Sequence, residues 1–393
     1  MSISSFHARC SIGCLLGLFV TGFPVGHAAS ARSPDPRHFF LRGADVSELP
    51  FHETRGIQYF DGGKAEDLLT IARKNHWNVI RVRLWVNPAP QPESRVSSLG
   101  SVTLLGKRVR AMGLKFLLDI HYSDTWADPA HQKKPAAWDT LPFPQLVHQV
   151  RDYTRDVISH LRENGAMPDL VQIGNETKSG FLYGSGLDGA GPEPGGGFWE
   201  TTPGGWDRFV RLFAAGLAGV RDGSLPAAPP LTILHLPDGQ DTGFVKWYFA
   251  TLQSHEHAMG VNLDYNMIGL SYYPGRLWDP KTGYPAFRLS HLVDTMDYIA
   301  RTLHKPFMIV ETNWPHGGSP NGTTGTPEFS FTPEGQVEYY QALIRAVKSA
   351  PGGLGKGVIA WEIDSLNWDS VFDSKGNSLP AVQALGEDDE TRQ

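Results

Sequence analysis

The chain has 393 residues, 40% of them hydrophobic and 19% charged, with a formal net charge of −6. That balance supplies a large core and shows no basic excess for a polyanion, which argues against nucleic acid as a partner. Both cysteines, Cys10 and Cys14, fall near the N-terminus, so the remainder has no disulfide and no thiol chemistry.

Residues 1–31 carry Arg9, an apolar run from about Ile12 to Val25 and then Ala28-Ala29-Ser30-Ala31. This is the layout of a cleaved secretory signal, and the expected product is secreted or periplasmic with no membrane attachment after cleavage. Residues 32–38 read as a leader, 39–386 as a catalytic domain and 387–393 as an acidic tail.

From residue 39 onward eight short apolar runs recur: FFLRGADVS, VIRVRLWVNP, KFLLDIHYSD, LVQIGNET, LTILHLPDG, MIGLSYYP, FMIVETNWP and VIAWEIDS. Amphipathic stretches such as FPQLVHQVRDYTRDVISHLREN and PEGQVEYYQALIRAVKSA separate them. Continuous rather than alternating hydrophobicity implies strands covered on both faces, hence a parallel sheet. Eight units predict a single-domain α/β fold, a closed (β/α)8 TIM barrel. No G-x-G-x-x-G follows the first strand and no phosphate loop is present, which argues against a nucleotide enzyme. The long loops 183–206 and 316–333 leave the C-terminal ends of strands and read as cleft walls.

In such a barrel the polar residues closing each strand converge on one mouth. Here they are Asp45, Arg83, His121, Asn175 with Glu176, His235, Tyr272 with Tyr273, Glu311, and Trp361 with Glu362. Glu176 and Glu311 immediately follow apolar runs at strand ends four and seven, which can face each other across the ring. Two facing carboxylates suit glycoside cleavage, one as proton donor and one as nucleophile. His255-Glu256-His257 lacks a third strand-end ligand and reads as a solvated face, so no catalytic metal and no cofactor is expected; the short segment APGGLGKG before strand eight has no acidic cluster, so a structural calcium ion, though possible, is not indicated.

The ordered segments GADVSELPFHETRGIQYF, VIRVRLWVNP, LLDIHYSDTWADP, IGNE, IGLSYYP, VETNWP and AWEIDS resemble glycoside hydrolase family 53, the endo-β-1,4-galactanases, from about Arg42 to Leu385. The resemblance implies a secreted endo-acting enzyme that cleaves β-1,4-galactosidic bonds of galactan by retaining double displacement. Glu176 would be the acid/base and Glu311 the nucleophile. Asn175 would bind the sugar 2-hydroxyl, while Arg83 and either Tyr272 or Tyr273 would hold Glu311. His121 and Trp361 would line the site, Trp126 and Trp314 would stack on sugars at the mouth, and Asp124 would contact hydroxyls or cap its own turn. The partner is then a polysaccharide and the protein a monomer. Two alternatives are a retaining hydrolase of another β-glycan, such as mannan, xylan or a bacterial polysaccharide, and a non-catalytic glycan-binding barrel. The chain departs from the family after the acid/base, at NETKSGFLYGSG, and in strand eight, at WEIDSLNW, changes that bear on subsite number and product length.

Overall fold

The strands and helices alternate as the sequence predicts. The computed structural model describes residues 39–183, 195–197, 204–274, 288–318 and 327–387. The expected signal and leader, the tail beyond 387, most of the first long loop and residues 319–326 of the second lie outside the described residues. Eight parallel strands, β1 (Leu41–Asp45), β2 (Val79–Leu84), β3 (Lys115–Ile120), β4 (Leu170–Ile173), β5 (Leu231–Leu236), β6 (Met267–Tyr272), β7 (Phe307–Thr312) and β8 (Gly355–Ala360), pair in sequence order and close into a barrel, β8 against β1. Each is followed by a helix: α1 (Leu68–Lys74), α2 (Leu99–Ala111), α3 (Phe143–Glu163), α4 (Gly205–Ser224), α5 (Thr242–Met259), α6 (Leu289–Tyr298), α7 (Pro333–Lys348) and α8 (Ala381–Gly386).

The helices form because their apolar residues recur at helical spacing. In α3 the buried positions are Leu146, Val150, Thr154, Val157, Ile158 and Leu161, one stripe facing the barrel. Helix α5 starts where the Asp241 side chain accepts the Phe244 N–H at 2.9 Å. It ends at Gly260, whose φ of 62° lies in the left-handed region that glycine tolerates.

Inside the barrel, Leu41, Val79, Leu117, Leu170, Ile233, Met267, Met308, Val310 and Ile359 form a sealed apolar plug drawn from all eight strands. Strand side chains alternate between faces, so the inward positions two residues further on, or four on β1, where Gly43 intervenes, can be read directly. They are Asp45, Arg81, Asp119, Gln172 and His235, nearly all without solvent contact, and the interior changes from apolar to polar one layer above the plug. On β6 the inward series is Met267, Gly269, Ser271, Tyr273. Gly269 is required there, because a Cβ would come within 2.9 Å of Ile233 and 3.0 Å of Val310.

Strand β7 breaks the alternation. Its register against β6 shifts, with Leu270 opposite Ile309 and Ser271 opposite Glu311. The extra residue, Val310, joins the plug, and Glu311 turns into the barrel where strict period two would send it out. Thr312 then points outward, donating to the Tyr272 carbonyl at 2.6 Å.

Candidate active site

The mouth of the barrel opens into a cleft of about 780 Å³. Arg81, Arg83, His121, Trp126, Asn175, Glu176, Tyr273, Glu311 and Trp361 form its floor and near walls. The backbone is held out of its preferred regions at four strand ends, with φ of 50° at Tyr122, 46° at Glu176, 54° at Asp238 and 52° at Glu362. Such non-glycine residues cost about 1–3 kcal/mol each and persist where the surroundings over-determine them.

Glu311 is 5% exposed and fully engaged. One carboxylate oxygen accepts from the Arg81 guanidinium at 2.7 Å, and the other accepts from the Tyr273 hydroxyl at 2.8 Å and the Ser271 hydroxyl at 3.5 Å. Burial raises its pKa above the ordinary carboxylate range, Asp119 and Asp45 add to this, and Arg81 and Tyr273 oppose it.

Arg81 is the hub of the polar layer. It donates to Asp45 at 2.8 Å, Asp119 at 2.8 Å, the Asn175 side-chain oxygen at 2.9 Å and the Gln172 side-chain oxygen at 2.9 Å, besides Glu311. Burial disfavours its charge, but Asp119, Glu311 and Asp45 more than compensate and keep it protonated. Asp119 is likewise buried, yet Arg81 and His121 hold its pKa at about 2. His121 sits 2.9 Å from Asp119 through Nε2 and accepts the Ala127 N–H at Nδ1, so its proton is on Nε2.

Glu176 occupies the turn after β4. Gly174, two residues earlier, has φ of 80°, and a Cβ there would meet the Thr177 methyl at 2.9 Å. The turn is pinned to β5: the Thr177 N–H and hydroxyl both donate to the His235 carbonyl, at 2.9 and 3.0 Å, and the Glu176 N–H lies 3.2 Å from His235 Nδ1. Burial and the Arg81 charge push the His235 pKa well down, so the ring is neutral. Its Nε2 reaches Ser271 Oγ at 2.9 Å, and a hydrogen-bonded path therefore runs from Glu176 through His235 and Ser271 to Glu311. The Asn175 amide donates to the Ala127 carbonyl at 2.7 Å, which fixes its orientation towards the cleft. The Gln132 amide donates to the Asn175 carbonyl at 2.6 Å.

Three sequence expectations are corrected, for Arg83, Trp314 and Asp124, and the choice left open between Tyr272 and Tyr273 is resolved. Arg83 does not hold Glu311; Arg81 does, because both point inward and Arg81 lies one layer deeper, level with Glu311. Arg83 instead donates to Glu48 at 2.7 Å and Glu362 at 3.2 Å and lies 3.8 Å from the Trp126 ring centroid. Of the two tyrosines, Tyr272 faces outward, fully buried beside Tyr339 with ring centroids 6.3 Å apart, and only Tyr273 meets Glu311. Trp314 is 1% exposed and stacks on Tyr339 at 4.9 Å, which makes it a packing residue behind the barrel rather than a sugar platform. Asp124 accepts the N–H groups of Asn87 and Ala136, at 3.0 and 2.9 Å, tying two loops together without lining the cleft. Trp126, 37% exposed, and Trp361 do border it, with ring centroids 6.2 Å apart.

The sequence reading also missed the far wall, formed by Lys178, Asp238, Gln240, Asp241 and Phe244 from the β4 and β5 ends. His255-Glu256-His257 is less solvated than expected: His255 pairs with Asp207 at 2.7 Å and Glu256 accepts the Leu263 N–H at 2.7 Å. Among the described residues no group of three His, Cys, Asp or Glu side chains could hold a metal ion.

A closed (β/α)8 barrel with two glutamates in a cleft at its C-terminal mouth has the architecture of a sugar-bond hydrolase. The chain belongs to glycosyl hydrolase family 53, whose model matches residues 41–390, and it is a glycoside hydrolase. It is 33% identical over 393 residues to an arabinogalactan endo-β-1,4-galactanase of Cellvibrio japonicus, an alignment covering 93% of this chain and 95% of that protein. It is 32% identical over 358 residues to an arabinogalactan endo-β-1,4-galactanase of Thermothelomyces thermophilus, covering 88% and 98% respectively. A solved fungal β-1,4-galactanase superposes with a TM-score of 0.77 at 30% identity, covering 89% of this chain and 100% of that one.

Proposed function

We propose that the protein is an exported, retaining endo-β-1,4-galactanase in which Glu311 is the nucleophile and Glu176 the acid/base. The observation that carries this reading is the asymmetry of the two carboxylates in one cleft. Glu311 is clamped at both oxygens by Arg81 and Tyr273, an arrangement suited to a fixed attacking group, whereas Glu176 sits on a strained turn at the mouth.

In the first step a Glu311 oxygen attacks the anomeric carbon as the bond to the glycosidic oxygen breaks, and Glu176 gives its proton to that oxygen. The leaving chain departs with a new hydroxyl, and the remaining sugar is esterified to Glu311. In the second step Glu176, now a carboxylate, takes a proton from water while the water oxygen attacks the same carbon and displaces Glu311. Two inversions leave the configuration unchanged. The Asn175 amide, fixed by Ala127, would hydrogen-bond the 2-hydroxyl, a contact that strengthens as the oxocarbenium ion develops. His121, Trp126 and Trp361 would bind the sugar beside it.

Galactan is the substrate favoured by the galactanase relatives, and export is favoured by the N-terminal signal pattern. Incubation with unbranched β-1,4-galactan, mannan and xylan tests both class and specificity. Galacto-oligosaccharides should appear from the wild type and fall by at least about 10³-fold with Glu311→Ala. Undiminished release by that variant, or by Glu176→Gln, overturns the roles, and cleavage of mannan or xylan with galactan untouched overturns the substrate.

A further inference from the structure

The far wall of the cleft continues into a line of aromatic rings on the outside of the barrel. Phe244 lines the cleft, and Trp247, one turn further along α5, lies 6.2 Å from it between ring centroids. Trp206, at the start of α4, lies 5.9 Å from Trp247 and has the His255 ring stacked on it at 5.8 Å and 15°. The buried face of α5 consists of Val245, Tyr248, Phe249 and Leu252. Trp247 is not part of that face and is 52% exposed. A single exposed apolar residue is ordinary, but this one extends a row of rings that begins inside the cleft.

We propose that the Phe244–Trp247 strip, with Trp206 backing Trp247, is a docking surface for the uncharged β-glycan chain where it leaves the cleft on the leaving-group side. The inference rests on the functional reading above. The acid must stand beside the leaving-group oxygen, so the departing chain lies on the Glu176 side, towards Lys178, Asp238 and then Phe244. The polar groups beside the strip are already engaged: Lys178 pairs with Asp238 at 2.7 Å, Asp207 lies 2.7 Å from the His255 ring nitrogen, and Asp241 accepts the Phe244 N–H, which suits an uncharged ligand. Indole faces suit the C–H faces of a sugar ring, which need no charge partner.

The test compares polymer with oligomer. For Trp247→Ala the ratio of kcat/KM on unbranched galactan to kcat/KM on galactotetraose should fall about 3- to 10-fold, the loss of one stacked ring. Trp247→Phe, which keeps a ring, should recover most of the ratio, and this separates docking from a folding defect. An unchanged ratio overturns the proposal. Its fate is separable from that of the functional reading, because the inactive Glu311→Ala protein can be run in gels containing galactan. Retardation that weakens when Trp247→Ala is added supports the surface; equal retardation, or none, overturns it. Wild-type protein that fails to cut galactan instead overturns the functional reading.

Discussion

At the scale of single residues, the two arginines of β2 separate two jobs. Arg81 is the cation shared by Asp45, Asp119 and Glu311 inside the barrel, so removing its charge takes the guanidinium partner from all three buried carboxylates. Arg81→Met is expected to destabilise the fold by about 3–5 kcal/mol, measured by denaturant unfolding. Arg83→Met leaves the Glu311 clamp intact and should act on KM through Trp126, which it supports from one face. Tyr273→Phe removes a hydrogen bond to the ionised nucleophile, for which a fall in kcat of about 10- to 100-fold is expected. The same hydroxyl opposes the raised pKa of Glu311. Its loss should therefore move the acidic limb of the pH–rate profile to higher pH, because the nucleophile works only as a carboxylate. A limb that stays in place or moves to lower pH contradicts this assignment.

At the scale of elements, the bends in the strands place the chemistry. The β7 bulge turns Glu311 inward, and Gly174 lets the β4 turn present Glu176. Gly174→Ala should cost about 1–3 kcal/mol by combining a left-handed φ with a clash against Thr177, measurable as a lower Tm and reduced kcat. These details also mark what was legible beforehand. The barrel could be read because each strand is a continuous apolar run, and Glu176 and Glu311 because each is a carboxylate directly after such a run, although the inward direction of Glu311 depends on the β7 bulge, which the apolar pattern does not show. Arg81 was legible in principle: it stands two residues before Arg83 and shares its face, but a reading confined to strand ends passes over the layer beneath. The choice between Tyr272 and Tyr273 depends on a register that the apolar pattern leaves open. Trp314 looked like a mouth residue from its place after β7, and only the packing of Tyr339 reveals that the chain turns it back.

At the scale of the whole molecule, buried acids set how stability responds to pH. Glu362, beside Arg83 but buried and repelled by Glu48 and Asp45, has its pKa raised to about 8 from 4.5. Asp364, buried with neither carboxylate oxygen hydrogen-bonded, is raised well above its ordinary value. A raised carboxyl holds its proton more tightly when folded, so its contribution is complete below the unfolded pKa and is lost as pH rises through the folded one. Thermal unfolding should show Tm declining between pH 4.5 and about 8, and Glu362→Gln should flatten the decline. A Tm that rises across that window would contradict the sign. Asp119 acts oppositely: its pKa of about 2 protects the fold until strong acid. The cleft above these groups has double displacement through Glu311 as its proposed chemistry. Proton NMR of galactan hydrolysis, recorded before the new reducing ends mutarotate, tests that directly. The β-anomer should appear first, whereas initial release of the α-anomer would establish inversion and remove Glu311 from the role of nucleophile.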